Sequence, residues 1–176
     1  MNITIDSSPL HNDHKHRGIG YYTKYLIESL RQYEPTHVYT LFTRKESIPK
    51  DADIVHYPYF DPFFLTLPIQ KSKPIVVTVH DLIPIVYARH FPAGLVGRTK
   101  WLLQRTALQG ADVVITDSEA SKHDIVAHCG LPDTTVHVIP LASSAGYHVV
   151  RRRDALDTTR IKYQLTPEFI DRKSVV

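Results

Sequence analysis

Side chains able to do chemistry stand where three strand-like runs end. His80 and Asp81 close the β-branched run Ile75–Val79, which Pro74 opens. Gly18 and Gly20 lie in Arg17-Gly-Ile-Gly-Tyr-Tyr-Thr23, shortly after a first run, Ile3–Asp6. Ser118 and Glu119 follow the run Asp112–Thr116. A histidine can exchange hydrogen bonds or a proton with a substrate hydroxyl near neutral pH. Glycines at a helix start let the backbone approach a ligand, and the free N–H groups there favour an anion. The alternative for His80 is local packing at the strand end, and for the glycines an ordinary flexible turn.

Other reactive residues are weaker candidates. His11, His14 and His16 share one loop, and imidazoles this close can hold zinc or nickel. Asp13 is the only carboxylate among them and no helix or strand fixes their spacing, so a solvated or acceptor-facing loop is the preferred reading. Ser118 with His80 and Asp81 suggests a hydrolase triad, but Ser118 sits in Asp-Ser-Glu and lacks the Gly-x-Ser-x-Gly elbow. Cys129 is the single cysteine, which excludes an internal disulfide and a cysteine-based zinc site. It reads as a buried, inert thiol.

The elements that position these residues alternate along the chain. Strands are expected at Ile3–Asp6, His37–Thr43, Asp53–Tyr57, Pro74–Val79, Asp112–Thr116 and Thr135–Ile139. The run Ile75–Val79 shows no polar alternation, as in a strand buried on both faces of a parallel sheet. In such sheets ligands bind beyond the carboxyl ends of the strands. Apolar spacing at Ile19, Tyr22, Leu26, Ile27 and Leu30 predicts a first helix. A helix over Val96–Gln109 would carry Trp101, Leu102, Arg105 and Leu108 along one side, with Gly110 past its end. A further helix runs from an N-cap at Ser118 through His128 and stops at Gly130. Leu82–Pro92, with two prolines, is expected to be irregular. The segment Tyr57-Pro-Tyr-Phe-Asp-Pro-Phe-Phe64 either covers the core or forms an aromatic wall for a sugar or lipid. The rhythm of strands and helices indicates an α/β, Rossmann-like, doubly wound and mostly parallel sheet.

Composition agrees with a globular domain: 176 residues, of which 43% are hydrophobic and 22% charged. No stretch approaches the ~20 apolar residues of a membrane span. The N-terminus reads as a strand start and not as a signal peptide, and a cytoplasmic location fits. The net charge is +3 with histidines neutral. Its densest patch, Arg151–Arg153, has no aromatic-rich basic neighbours, so no nucleic-acid partner is expected. Anionic small molecules account for so mild a basicity.

Four motifs occur in register: Arg17-Gly-Ile-Gly-Tyr-Tyr-Thr-Lys-Tyr-Leu, Val79-His-Asp-Leu-Ile-Pro, Ala111-Asp-Val-Val-Ile-Thr-Asp-Ser-Glu-Ala-Ser-Lys and Val138-Ile-Pro. Together they resemble the N-terminal domain of family 4 (group 1) retaining glycosyltransferases of the GT-B fold. The resemblance implies an acceptor-binding Rossmann-like domain facing a second domain that holds most of the nucleotide-sugar donor. It implies transfer of a sugar to a glycan or lipid-linked acceptor with retention, without a metal or other cofactor. A lipid-linked acceptor would bring peripheral membrane contact with it. Carried over, Gly18 and Gly20 approach the donor diphosphate and the reacting sugar, with Arg17 beside them. His80 contacts the transferred sugar, Asp81 orients it, and Ser118 and Glu119 line or support the cleft. On this reading residues 1–150 form the domain and 151–170 a linker helix and the start of the second domain. Asp171–Val176 resembles a translated sequencing adapter, a non-native tail, and the chain alone is expected to be inactive. The rivals are a non-catalytic glycan- or lipid-binding domain and a nicotinamide-dependent Rossmann enzyme. Gly-Ile-Gly-Tyr-Tyr-Thr lacks the third glycine that the latter needs.

Overall fold

Short runs rich in valine, isoleucine and threonine lose little side-chain freedom when extended and pack well on a pleated surface. Six of them form the strands of a computed structural model that describes residues 1–143, 149–166 and 168. They are β1 (Asn2–Asp6), β2 (Val38–Phe42), β3 (Ile54–Tyr57), β4 (Ile75–Thr78), β5 (Val113–Thr116) and β6 (Val136–Val138). Every pairing is parallel, and the sheet order is β2-β1-β3-β4-β5-β6. The chain therefore steps one way from β1 to β2, then reverses and steps from β3 to β6. This is the α/β, Rossmann-like, parallel sheet expected from the sequence.

The helices are α1 (Gly18–Tyr33), a single turn α2 (Ile83–Val86), α3 (Gly94–Gln109), α4 (Glu119–Cys129) and α5 (Arg153–Tyr163). Crossovers between parallel strands are right-handed, so the reversal at β1/β3 puts α1 on the face opposite to α3 and α4. Val55, Val77, Val79, Leu82, Leu108, Val114 and Ile125 are fully buried between these layers. The reversal also opens a crevice at the carboxyl ends of β1 and β3.

The described chain divides into two compact units, Met1–Leu141 and Ala142–Val176. The strands and all of the buried hydrophobic core lie in the first. In the second, α5 ends at Gln164, which adopts a left-handed φ of 52°. The expected linker helix thus begins at Arg153. The expected tail, 171–176, lies outside the described residues, as do Pro167, Phe169 and Ile170.

Two sequence expectations are corrected. Leu82–Pro92 is not wholly irregular, because Asp81 Oδ1 accepts the Ile83 amide at 3.0 Å and Pro84 fits the first turn of α2. The buried stripe of α3 is Gly97, Gln104 and Leu108 with Trp101 partly buried, whereas Leu102 is 59% exposed. The stripe includes a glutamine that reads as surface in an apolar pattern. Gln104 is buried because its amide is satisfied: Oε1 accepts from the Thr66 amide, the Thr66 hydroxyl and the Leu67 amide at 2.7–2.9 Å, and Nε2 donates to the Leu67 carbonyl at 3.2 Å. These bonds fasten the long β3–β4 crossover, which carries no helix of its own.

The helix ends follow the local chemistry. Ser118 caps α4 by accepting the Ser121 amide at 3.1 Å, and Gly130 closes it at φ 71°, where a side chain would be strained. Gly110 ends α3 at φ −83°, a conformation open to any residue.

Candidate functional site

A cavity of about 360 Å³ opens at the carboxyl ends of the strands. The start of α1 contributes Gly18, Ile19 and Tyr22. The crossover after β3 contributes Tyr59, Phe60, Asp61 and Pro62, and the end of β4 contributes His80, Asp81 and Pro84. Within the aromatic-proline segment, Tyr57 and Phe60 are buried in the core while Tyr59 and Phe60 line the cavity.

His80 is held from two sides. Its Nδ1 lies 2.7 Å from Asp117 Oδ2, and its ring meets the Tyr22 ring edge-on at 4.7 Å. With Asp117 ionised, Nδ1 carries the proton and Nε2 is left as an acceptor. No protein group bonds Nε2 among the described residues. The sequence suggests Asp81 for the orienting role, but the carboxylate bonded to His80 is Asp117, and Asp81 accepts the Ile83 amide at the start of α2. The signal was available in the strand register. Thr78 pairs with Ile115, so the residues two further on, His80 and Asp117, emerge side by side.

Behind this pair runs a buried hydroxyl chain. Thr78 Oγ1 lies 2.9 Å from His56 Nε2 and 3.2 Å from the Tyr22 hydroxyl. Burial pushes His56 down to about 4, so it is neutral at pH 7. Burial raises Tyr22 above the usual phenol range, with the Thr78 bond opposing it. Tyr59 rises too, through burial and then its 2.6 Å bond to Asp61 Oδ2. The second oxygen of Asp61 accepts the amides of Phe63 and Phe64, which stiffens this wall.

The two glycines separate. A Cβ on Gly18 would meet nothing within 4 Å, so its backbone is open toward the cavity. A Cβ on Gly20 would lie 2.3 Å from the His14 carbonyl oxygen and 2.7 Å from that of Lys15. The space that a side chain at Gly20 would take is filled by the chain's own β1–α1 loop. His14 from that loop packs on Tyr59 at 4.8 Å. Among the described residues no three His, Cys, Asp or Glu side chains are grouped to hold a metal.

Of the predicted site residues, the cavity gathers Gly18, His80 and Asp81. Arg17 is exposed at the N-cap of α1, and Ser118 and Glu119 are exposed at the start of α4; none of the three lines the cavity. Cys129 is buried, and burial pushes its thiol up to about 12, as expected of an inert group.

A Rossmann-like sheet with its cavity at the strand ends is what one half of a GT-B fold presents. Residues 6–142 match the family model described as Glycosyltransferase Family 4. The match spans most of the chain, and the chain belongs to this glycosyltransferase family. No curated protein matches it. Among the described residues no helix is long and apolar enough to cross a membrane.

Proposed function

We propose that residues 1–150 are the acceptor-side domain of a retaining glycosyltransferase and that the cavity below His80 receives a sugar. In the reaction the bond between the anomeric carbon and the leaving diphosphate oxygen breaks. A bond from that carbon to an acceptor hydroxyl oxygen forms, and the hydroxyl proton passes to the departing diphosphate. His80 accepts a sugar hydroxyl at Nε2, with Asp117 fixing the ring. Tyr59, Phe60 and Pro62 offer apolar faces to the sugar or to the acceptor. Gly18 leaves room for the donor at the positive end of α1. The donor's nucleotide is assigned to the second domain of the GT-B fold.

The observation that carries this reading is the His80–Asp117 pair, oriented at 2.7 Å inside an aromatic-walled cavity of a family 4 chain. The nicotinamide reading is disfavoured because Gly18-Ile-Gly-Tyr-Tyr-Thr23 lacks the third glycine of the dinucleotide fingerprint. The test is a titration of the purified chain with octyl glycosides of glucose, galactose and mannose below their micellar concentrations, followed by the His80 imidazole NMR signals. At least one glycoside should shift them, and His80→Ala should weaken that binding about tenfold, the scale of one lost hydrogen bond. Silence of His80 toward all three would overturn the assignment.

A further inference from the structure

A row of polar side chains runs through the buried layer beneath the cavity. His56 pairs with Val76 across β3 and β4, so His56 and Thr78, two residues beyond Val76, project to the same face of the sheet. There His56 Nε2 lies 2.9 Å from Thr78 Oγ1, and Thr78 Oγ1 lies 3.2 Å from the hydroxyl of Tyr22 on α1. His56 and Thr78 are both buried, and neither lines the cavity. Such bonds add little net stability, because each replaces one made to water, and apolar groups of the same shape would carry no desolvation cost. What they supply is direction. The Tyr22 hydroxyl has no other hydrogen-bond partner among the described residues, so Thr78 is the directional restraint on the phenol ring. That ring stands at 90° to the His80 imidazole, 4.7 Å away. The hydrogen bond that holds His80 comes from Asp117, at Nδ1. One bond fixes which nitrogen carries the proton, but it leaves the imidazole free to rock about that contact, and the direction of Nε2 with it.

We propose that His56 and Thr78 are positioning residues for His80: acting through Tyr22, they hold the plane of the imidazole and so set the direction in which Nε2 points. Asp117 selects the tautomer, and the buried row selects the orientation. Because neither His56 nor Thr78 lines the cavity, their effect on a ligand passes through Tyr22 and His80, which do. The inference rests on the reading of His80 as a sugar-binding group, but its first test needs no sugar.

That test is the imidazole region of proton–nitrogen correlation spectra of the full chain without ligand. The parent should give one sharp set of His80 signals, with the proton on Nδ1. Tyr22→Phe keeps the ring and removes only the hydroxyl; it should broaden or split that set, as should Thr78→Val and His56→Leu. Thr78→Ser retains a hydroxyl and should restore the parent pattern. Tyr22 is only partly buried, so Y22F carries the test even where a substitution at the buried positions prevents folding. Adding H56L to Y22F should change the His80 signals no further, since its route to the imidazole is already cut. Y22F should also weaken the octyl glycoside that shifts His80 in the parent by about three- to tenfold, the range of one weakened hydrogen bond. Unchanged His80 signals in Y22F, with only a lowered urea midpoint, would overturn the proposal and leave the row a purely structural one. So would a further change on adding H56L. A parent whose His80 answers to no glycoside would refute sugar binding, while the ligand-free spectra would still decide the positioning.

Discussion

At the scale of single residues, Gly18 and Gly20 are two positions apart and chemically identical, yet their surroundings are opposite. Gly18→Ala adds a methyl group to open space and should leave stability within about 0.5 kcal/mol. Gly20→Ala drives a Cβ into two backbone carbonyls, neither of which is the end of a flexible side chain. It should cost about 2 kcal/mol or more, the scale of an overpacked interior. Urea denaturation of the two variants checks this contrast, and equal midpoints would refute it. The sequence shows a Gly-x-Gly turn but not which glycine has open space beside it, because the answer depends on the path of the loop at His14 and Lys15, just before the helix. His80 was legible as a polar tip on an apolar strand. Asp117 was not, because its role depends on a pairing register that no local pattern displays.

At the scale of elements, the sheet was readable because parallel strands buried on both faces leave unbroken β-branched runs. The helices α1 and α4 were readable from spacing and caps. The buried face of α3 was not, since a glutamine counts as polar until its partners are known. Gln104→Leu keeps much of the volume but strips the Thr66 and Leu67 amides of their acceptor inside the core. The variant should lose about 2–4 kcal/mol, because orphaned buried donors cost more than the bonds themselves contribute. It should also loosen the Tyr59–Asp61 wall. Thermal denaturation measures the first effect, and the Tyr59 NMR linewidth the second. A variant as stable as the parent would show that the crossover is held elsewhere.

At the scale of the whole molecule, the buried neutral imidazole of His56 ties folding to pH. Its folded value, about 4, lies below the 6.5 of the unfolded chain. Above pH 6.5 neither state binds the proton and stability is unaffected. Between 6.5 and about 4 only the unfolded state binds it, so stability falls as pH falls; below about 4 the loss levels off. The full effect is on the order of 3 kcal/mol. Chemical denaturation from pH 7 to pH 4 should show this decline. His56→Leu, less stable at pH 7 because Thr78 loses a partner, should show a shallower one. An unchanged slope in that variant would place the pH dependence on other groups.

The β3–β4 crossover has a consequence for how such a molecule can diversify. Its anchor, Gln104 with Thr66 and Leu67, bonds chiefly through main-chain groups that every sequence supplies. The residues that wall the cavity, Tyr59 to Pro62, join that clamp through one main-chain bond, from the Asp61 amide to the Thr66 hydroxyl at 3.1 Å. Substitutions can therefore re-tailor the wall for a different hydroxyl pattern or a bulkier aglycone while the clamp keeps the crossover in place. Libraries aimed at new ligands are best confined to positions 59–64, with residues 66, 67 and 104 held constant.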